Sequence, residues 1–235
     1  MSNPTRFTSG VSTIDAGYLL GNYPVPAPFH SSGSVTTGLG QYANDFVNTA
    51  AEYTVTGTSS TFALGNGVGG IAVLTPGGVT TTSVAYKTNT ILQFQAGNAL
   101  WYNVRFKASA VSGTKSFYVG LQAGSSANDG IWFSKAASST SINLVSVVGS
   151  TATTLLTGVA TAAADTYIEL GLYFNGVDLL VYSGDTLVGR VTAPTIGASG
   201  TNLTSALLTP VFQVVPTATD TLTVDFVLAS QEITR

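Results

Sequence analysis

From about residue 41 the chain alternates apolar and polar positions in short runs. Across 100–108, Leu100, Tyr102, Val104, Phe106 and Ala108 fall on one side, while Asn103, Arg105 and Lys107 fall on the other. This is the period-two pattern of a strand with one buried face. The same pattern aligns Phe117, Val119 and Leu121, then Ile168, Leu170, Leu172 and Phe174, then Leu222, Val224, Phe226 and Leu228. Turn chemistry separates the runs: Asn66-Gly67, Gly77-Gly78, Ser112-Gly113, Asp129-Gly130, Asn175-Gly176 and Ser183-Gly184-Asp185. Asn-Gly supplies the positive φ angles of a type I′ turn, so a hairpin is predicted between 166–174 and 177–183. No run supports an amphipathic helix, and 160–165 allows at most a short turn. Many short strands at this spacing predict an all-β, two-sheet antiparallel jelly-roll sandwich over 41–235.

Residues 1–40 have neither period. Pro4, Pro24, Pro26 and Pro28 stand among many Gly and Ser, and proline at alternate positions in 23–29 favours extended backbone that cannot enter the middle of a sheet. Phe7, Tyr18, Leu19, Tyr23 and Phe29 supply more apolar anchors than a solvating tail needs. The segment reads as an extended arm that docks, on its own sandwich or on a neighbouring subunit.

Composition sharpens this reading. Only 8% of the 235 residues are charged and there is no Cys, so disulfide scaffolds and thiolate metal sites are excluded. A chain of this length buries about 70–75% of its unfolded surface without crosslinks. Strand faces covered by Thr, Ser, Asn and Gly suit close protein contact, because net charge is what keeps dispersed proteins apart. Both outward faces read as similarly neutral. A formal charge of −3 with scattered basic residues argues against nucleic acid as a direct partner. With no secretory signal and no apolar run of membrane length, the expectation is synthesis in a cytoplasm and no membrane contact.

Four stretches resemble one family in their order: Tyr42-Ala43-Asn44-Asp45-Phe46; 117–122 (FYVGLQ) with 129–133 (DGIWF); 167–176 (YIELGLYFNG); and 222–229 (LTVDFVLA). Together with 3–11 (NPTRFTSGV) and 20–24 (LGNYP), they are similar to the concanavalin-A-like jelly rolls found in structural proteins of tailed bacteriophages. The resemblance implies a virion protein, a decoration or cement protein on the outer capsid surface. It implies binding to the major capsid protein and to itself as a homodimer or homotrimer.

Candidate chemistry is sparse. The single His, His30, lies in the arm with no second His or Cys at metal-ligand spacing, so no metal site and no cofactor is expected. There is no Gly-x-Ser-x-Gly elbow. The three Glu, Glu52, Glu169 and Glu232, are far apart, and the glucanase pattern Glu-x-Asp-x-x-Glu is absent, although Glu169 could pair with an Asp across the sheet. No catalytic residue is assigned and the chain is expected not to be an enzyme. The alternative is a carbohydrate-binding phage adhesin or tail-associated lectin, with Asn44 and Asp45, or Asn128 and Asp129, as loop ligands and a solvent-side Trp101 stacking on sugar. The plainer reading of 128–130 is a turn, and that of Trp101 a sheet or subunit contact. Residues 65–70 are glycine-rich without a following Lys-bearing helix, so a hairpin or bulged turn is expected there instead of a nucleotide site.

Overall fold

The computed structural model describes residues 37–47, 50–67, 70–78, 82–88, 92–113, 115–198, 200–215 and 220–234. The arm residues Phe7, Tyr18, Leu19, Tyr23 and Phe29, and His30, lie outside the described residues. The strands are β1 (Thr37–Asn44), β2 (Tyr53–Thr56), β3 (Thr61–Leu64), β4 (Ala72–Thr75), β5 (Ser83–Lys87) and β6 (Leu100–Ala108). They continue as β7 (Ser116–Ala123), β8 (Ser126–Lys135), β9 (Ser141–Val148), β10 (Thr151–Thr161), β11 (Ile168–Phe174) and β12 (Leu179–Ser183). The series ends with β13 (Thr186–Val191), β14 (Ile196–Gly197), β15 (Leu203–Thr204), β16 (Thr209–Val215) and β17 (Leu222–Thr234). No helix occurs among the described residues.

An eight-stranded sheet runs β13-β12-β11-β6-β17-β4-β3, with β1 also on β17; a seven-stranded sheet runs β10-β9-β8-β7-β16-β5-β2. Every pairing within the two is antiparallel. The expected alternation is what fills the space between them: Leu100, Tyr102, Val104 and Phe106 face Phe117, Val119, Leu121 and Phe133 in one continuous core. Aromatic contacts knit that core, with Phe62 against Phe212 at 5.6 Å and Phe106 against Phe117 at 5.5 Å. Such pairs add about 0.5–1.5 kcal/mol each beyond area burial.

Three sequence expectations change at this level. Leu222 and Val224 enter the core as expected, but Phe226 and Leu228 do not; Val227 and Ala229 take their place. A β-bulge between Val224 and Phe226 inserts Asp225 opposite Arg105 and reverses the alternation of β17 beyond it. Asp129-Gly130 is not a turn: both lie inside β8, and the β7–β8 hairpin turns at Gly124-Ser125. The 175–178 hairpin forms, but only Gly176 has positive φ, so the turn is not type I′. Asn175 instead holds the loop with its side chain, Oδ1 accepting from the amides of Val177 (2.9 Å) and Asp178 (2.7 Å).

Candidate functional site

Because one side of each sheet is consumed by the core, chemistry falls to the outward positions, and cross-strand register fixes which of them are neighbours. On the seven-stranded sheet one outward row reads Thr54, Tyr86, Val211, Gly120, Trp132, Val145 and Thr154. The next reads Thr56, Val84, Gln213, Tyr118, Ser134 and Asn143. Neither row holds a charged side chain. Tyr118 and Trp132 stack at 4.7 Å and form an apolar cluster with Val147 and Val211, flanked by Val84, Tyr86 and Val145. Glycine makes room for the indole: a Cβ on Gly130 would stand 2.4 Å from the Trp132 ring, and one on Gly120 would stand 2.3 Å from the Ile131 carbonyl. Burial raises the Tyr118 hydroxyl well above its ordinary value, and it donates to Gln122 Oε1 at 2.9 Å. Sequence reasoning did not single out this cluster. The signal was present, since Tyr118 and Trp132 sit out of phase with Phe117, Val119, Ile131 and Phe133.

The eight-stranded sheet presents a different surface. Its outward rows are Leu180, Tyr173, Trp101 and Ser230; Tyr182, Gly171, Asn103 and Leu228; and Glu169, Arg105 and Phe226. Trp101 stacks on Tyr173 at 5.1 Å with planes 16° apart. Asn103 Nδ2 donates to Glu169 Oε1 at 2.9 Å. Arg105 pairs with Asp225 and lies over the Tyr167 ring at 4.4 Å, with Lys107 over the same ring at 5.1 Å. The charges absent from one face are gathered on the other, so the two faces are not similarly neutral.

The predicted glycan residues are not brought together. Trp101 faces outward but is only 5% exposed, so the expectation that it stands in solvent is corrected: Tyr173 covers one ring face. Asn128 and Asp129 lie on the other sheet. Asp129 Oδ1 accepts from Thr204 Oγ1 (2.8 Å) and the Gly149 amide (3.1 Å), tying β8 to the β9–β10 turn and to β15. Asn44 is likewise engaged, its Oδ1 accepting from the Phe46 amide and its Nδ2 donating to Glu52 Oε1 at 2.6 Å. Of the glutamates, Glu52 binds Tyr42, Glu169 binds Asn103, and Glu232 accepts from the Ala99 amide. Among the described residues no group of three His, Cys, Asp or Glu could hold a metal ion.

No protein-family model matches the chain, and no curated protein matches it. Solved structures do. A protein of unknown function from Shewanella oneidensis superposes with TM-score 0.57 at 13% identity, covering 87% of this chain and 91% of that one. A glycosidic hydrolase gives 0.56 at 15% over 84% and 97%. An endo-1,3-beta-glucanase from Streptomyces sioyaensis gives 0.54 at 11% over 86% and 99%. The chain shares with them the fold of a two-sheet antiparallel jelly-roll sandwich. At such identities the likeness establishes the fold and nothing finer. It also corrects the expectation that the chain is not an enzyme. Two of these jelly rolls are a glycosidic hydrolase and an endo-1,3-beta-glucanase, so the architecture is one that enzymes also use and gives no ground for ruling catalysis out. The missing Glu-x-Asp-x-x-Glu pattern was no ground for excluding it.

Proposed function

We propose that this jelly roll is a structural virion protein, a decoration or cement protein that binds the major capsid protein and further copies of itself on the outer surface of a bacteriophage head. The observation that carries the reading is the charge-free outer face of the seven-stranded sheet, where Trp132, Tyr118, Tyr86 and several Val form one ribbon. An apolar centre rimmed by Thr, Ser, Asn and Gln, depleted of charge and built round aromatic rings, is the composition of a protein interface core. The arm's Phe7, Tyr18, Leu19, Tyr23 and Phe29 would add anchors in neighbouring subunits, and two weak contacts on one chain multiply in avidity. Cryo-electron microscopy of the intact particle tests it. Regular copies bridging capsomers through the seven-stranded face support the reading; a few copies confined to the tail tip would sink it.

A second reading, a carbohydrate-binding adhesin, is favoured by the half-buried Tyr173 and Tyr182 beside Asn103 and Glu169 on the eight-stranded sheet, since rings next to polar groups suit sugar binding. Titration with host polysaccharides, with and without Ca²⁺, tests it while reducing-end release is followed for hydrolysis. Saturable binding weakened by Tyr182→Ala supports this reading, and a flat titration removes it.

A further inference from the structure

The chain holds two Asn-Gly pairs, Asn66-Gly67 and Asn175-Gly176, and the fold gives them opposite surroundings. Asn66 and Gly67, in the loop from β3 to β4, are both exposed. Their neighbours are anchored, Gly65 donating to the Ile71 carbonyl at 2.9 Å and Gly70 to the Gly67 carbonyl at 3.2 Å. Among the described residues, however, no hydrogen bond holds the Asn66 carboxamide or the Gly67 amide. Gly176, between β11 and β12, is buried. It has a φ of 90° and lies so close to Gly97 that an added Cβ would stand 2.8 Å from the Gly97 Cα. The Gly97 amide donates to the Gly176 carbonyl at 2.9 Å, and the Asn175 amide donates to the Asp178 carbonyl at 3.0 Å. Asn175 Oδ1 accepts from the Val177 and Asp178 amides, so this pair is fixed through backbone and side chain alike.

The difference is chemical as well as structural. An asparagine followed by glycine can cyclise, because no Cβ shields the glycine nitrogen. The glycine N–H gives its proton to solvent base, the nitrogen bonds to the asparagine Cγ, the bond from Cγ to the side-chain nitrogen breaks, and ammonia leaves. Water then opens the five-membered imide at one carbonyl or the other, leaving aspartate or, with the backbone rerouted through the side chain, isoaspartate. Solvent water is the one co-reactant, and nothing is oxidised or reduced. Closing the ring needs a glycine amide open to solvent and carries the asparagine χ1 out of its staggered well. Asn66-Gly67 meets the first condition and nothing among the described residues opposes the second; Asn175-Gly176 meets neither until its loop opens. We propose that Asn66 is a self-modification site, which converts to aspartate and isoaspartate while the fold protects Asn175. The product places a carboxylate beside β3, the edge strand of the eight-stranded sheet, on a chain with 11 acidic residues. Charge beside an edge disfavours further strand pairing, so the modified chain presents a different edge from the fresh one. The inference goes beyond the capsid reading and does not need it.

The test incubates the full chain in mildly alkaline buffer and follows its peptides by mass spectrometry. Peptides holding Asn66 should gain the mass of amide-to-acid conversion about tenfold or more faster than those holding Asn175, because reaction at Asn175 waits on local opening. In denaturing urea the two rates should converge. No conversion at Asn66, or conversion at Asn175 as fast in the folded chain, overturns the proposal. A ratio that survives urea also overturns it, by assigning the difference to flanking sequence. Independently, Asn66→Gln should remove most of the isoaspartate that an isoaspartyl methyltransferase labels in the aged protein; undiminished labelling places the modification elsewhere and overturns the assignment.

Discussion

Arg105 on β6 faces two residues of β17 at once, and its guanidinium pairs with the carboxylate of one of them, Asp225, the residue added by the bulge. Before Asp225 the even-numbered residues of β17 face the core; after it the odd-numbered ones do. One inserted residue therefore determines that Phe226 and Leu228 join the outer face.

The bulge and the ion pair are separable. Asp225→Ala should cost about 1 kcal/mol or less, because the partly exposed Arg105 is screened by solvent. Deleting Asp225 removes the extra residue and leaves an unbroken ladder, with Val224 opposite Phe106 and Phe226 opposite Arg105 as before, so Val227 and Ala229 stay in the core and the fold should survive. Urea unfolding of the two variants checks this; a deletion variant that fails to fold would show that the bulge itself is needed for the path of β17.

The two sheets are fastened at one edge by a polar knot. Tyr42 of β1 donates to Glu52 Oε1 at 2.7 Å, and the hydroxyl of Tyr53 in β2 lies 3.1 Å from that of Tyr42. Tyr42 has a single proton, already given to the carboxylate, so Tyr53 is the donor of the second bond. Burial raises both hydroxyls well above their ordinary range. Tyr42→Phe should destabilise by about 1–2 kcal/mol by stranding these partners, read as a lowered denaturation midpoint at unchanged slope.

Lys135 lies fully buried, its ammonium donating to the Lys115 carbonyl. Burial first, and then the nearby Lys115 charge, lower its proton affinity. The unfolded chain thus holds that proton more tightly, and stability should rise with pH as it climbs through the lowered folded value towards 10.5. Lys135→Met should abolish that rise while keeping the packing of the stem. Thermal melts across alkaline pH measure it, and parallel profiles for the two proteins would refute the assignment.

Asp178 behaves with the opposite sign. The Ala193 amide, at 2.9 Å, and Arg190 hold its carboxyl below the ordinary 3.8. Its contribution should be present above pH 3.8 and lost as pH falls through the lower folded value. Asp178→Asn should therefore melt below wild type at neutral pH, with the gap closing in strong acid; a gap independent of pH would assign the effect to geometry alone.

Charge placed on the seven-stranded face should separate folding from attachment. Val145→Lys or Gln213→Lys, both at half-buried outward positions, should change stability by about 1 kcal/mol or less yet sharply reduce copies bound to capsids. Retained binding would move the interface to the other sheet.

The sequence by itself determined that the chain is an antiparallel β-sandwich and which side of most strands is buried, as with Leu100, Tyr102, Val104 and Phe106. Alternation is a local property, and burial of one face enforces it strand by strand. What tertiary structure decided is non-local. The bulge at Asp225 is defined only against its partner β6. Asp129 reads as a turn until Thr204 and Gly149 are brought to its carboxylate. The gathering of Arg105, Lys107, Glu169 and Asp225 on the outward face of one sheet, while the outward rows of the other hold no charged side chain, depends on strand order, which residue alternation does not encode because it records the face of each strand and not its neighbours.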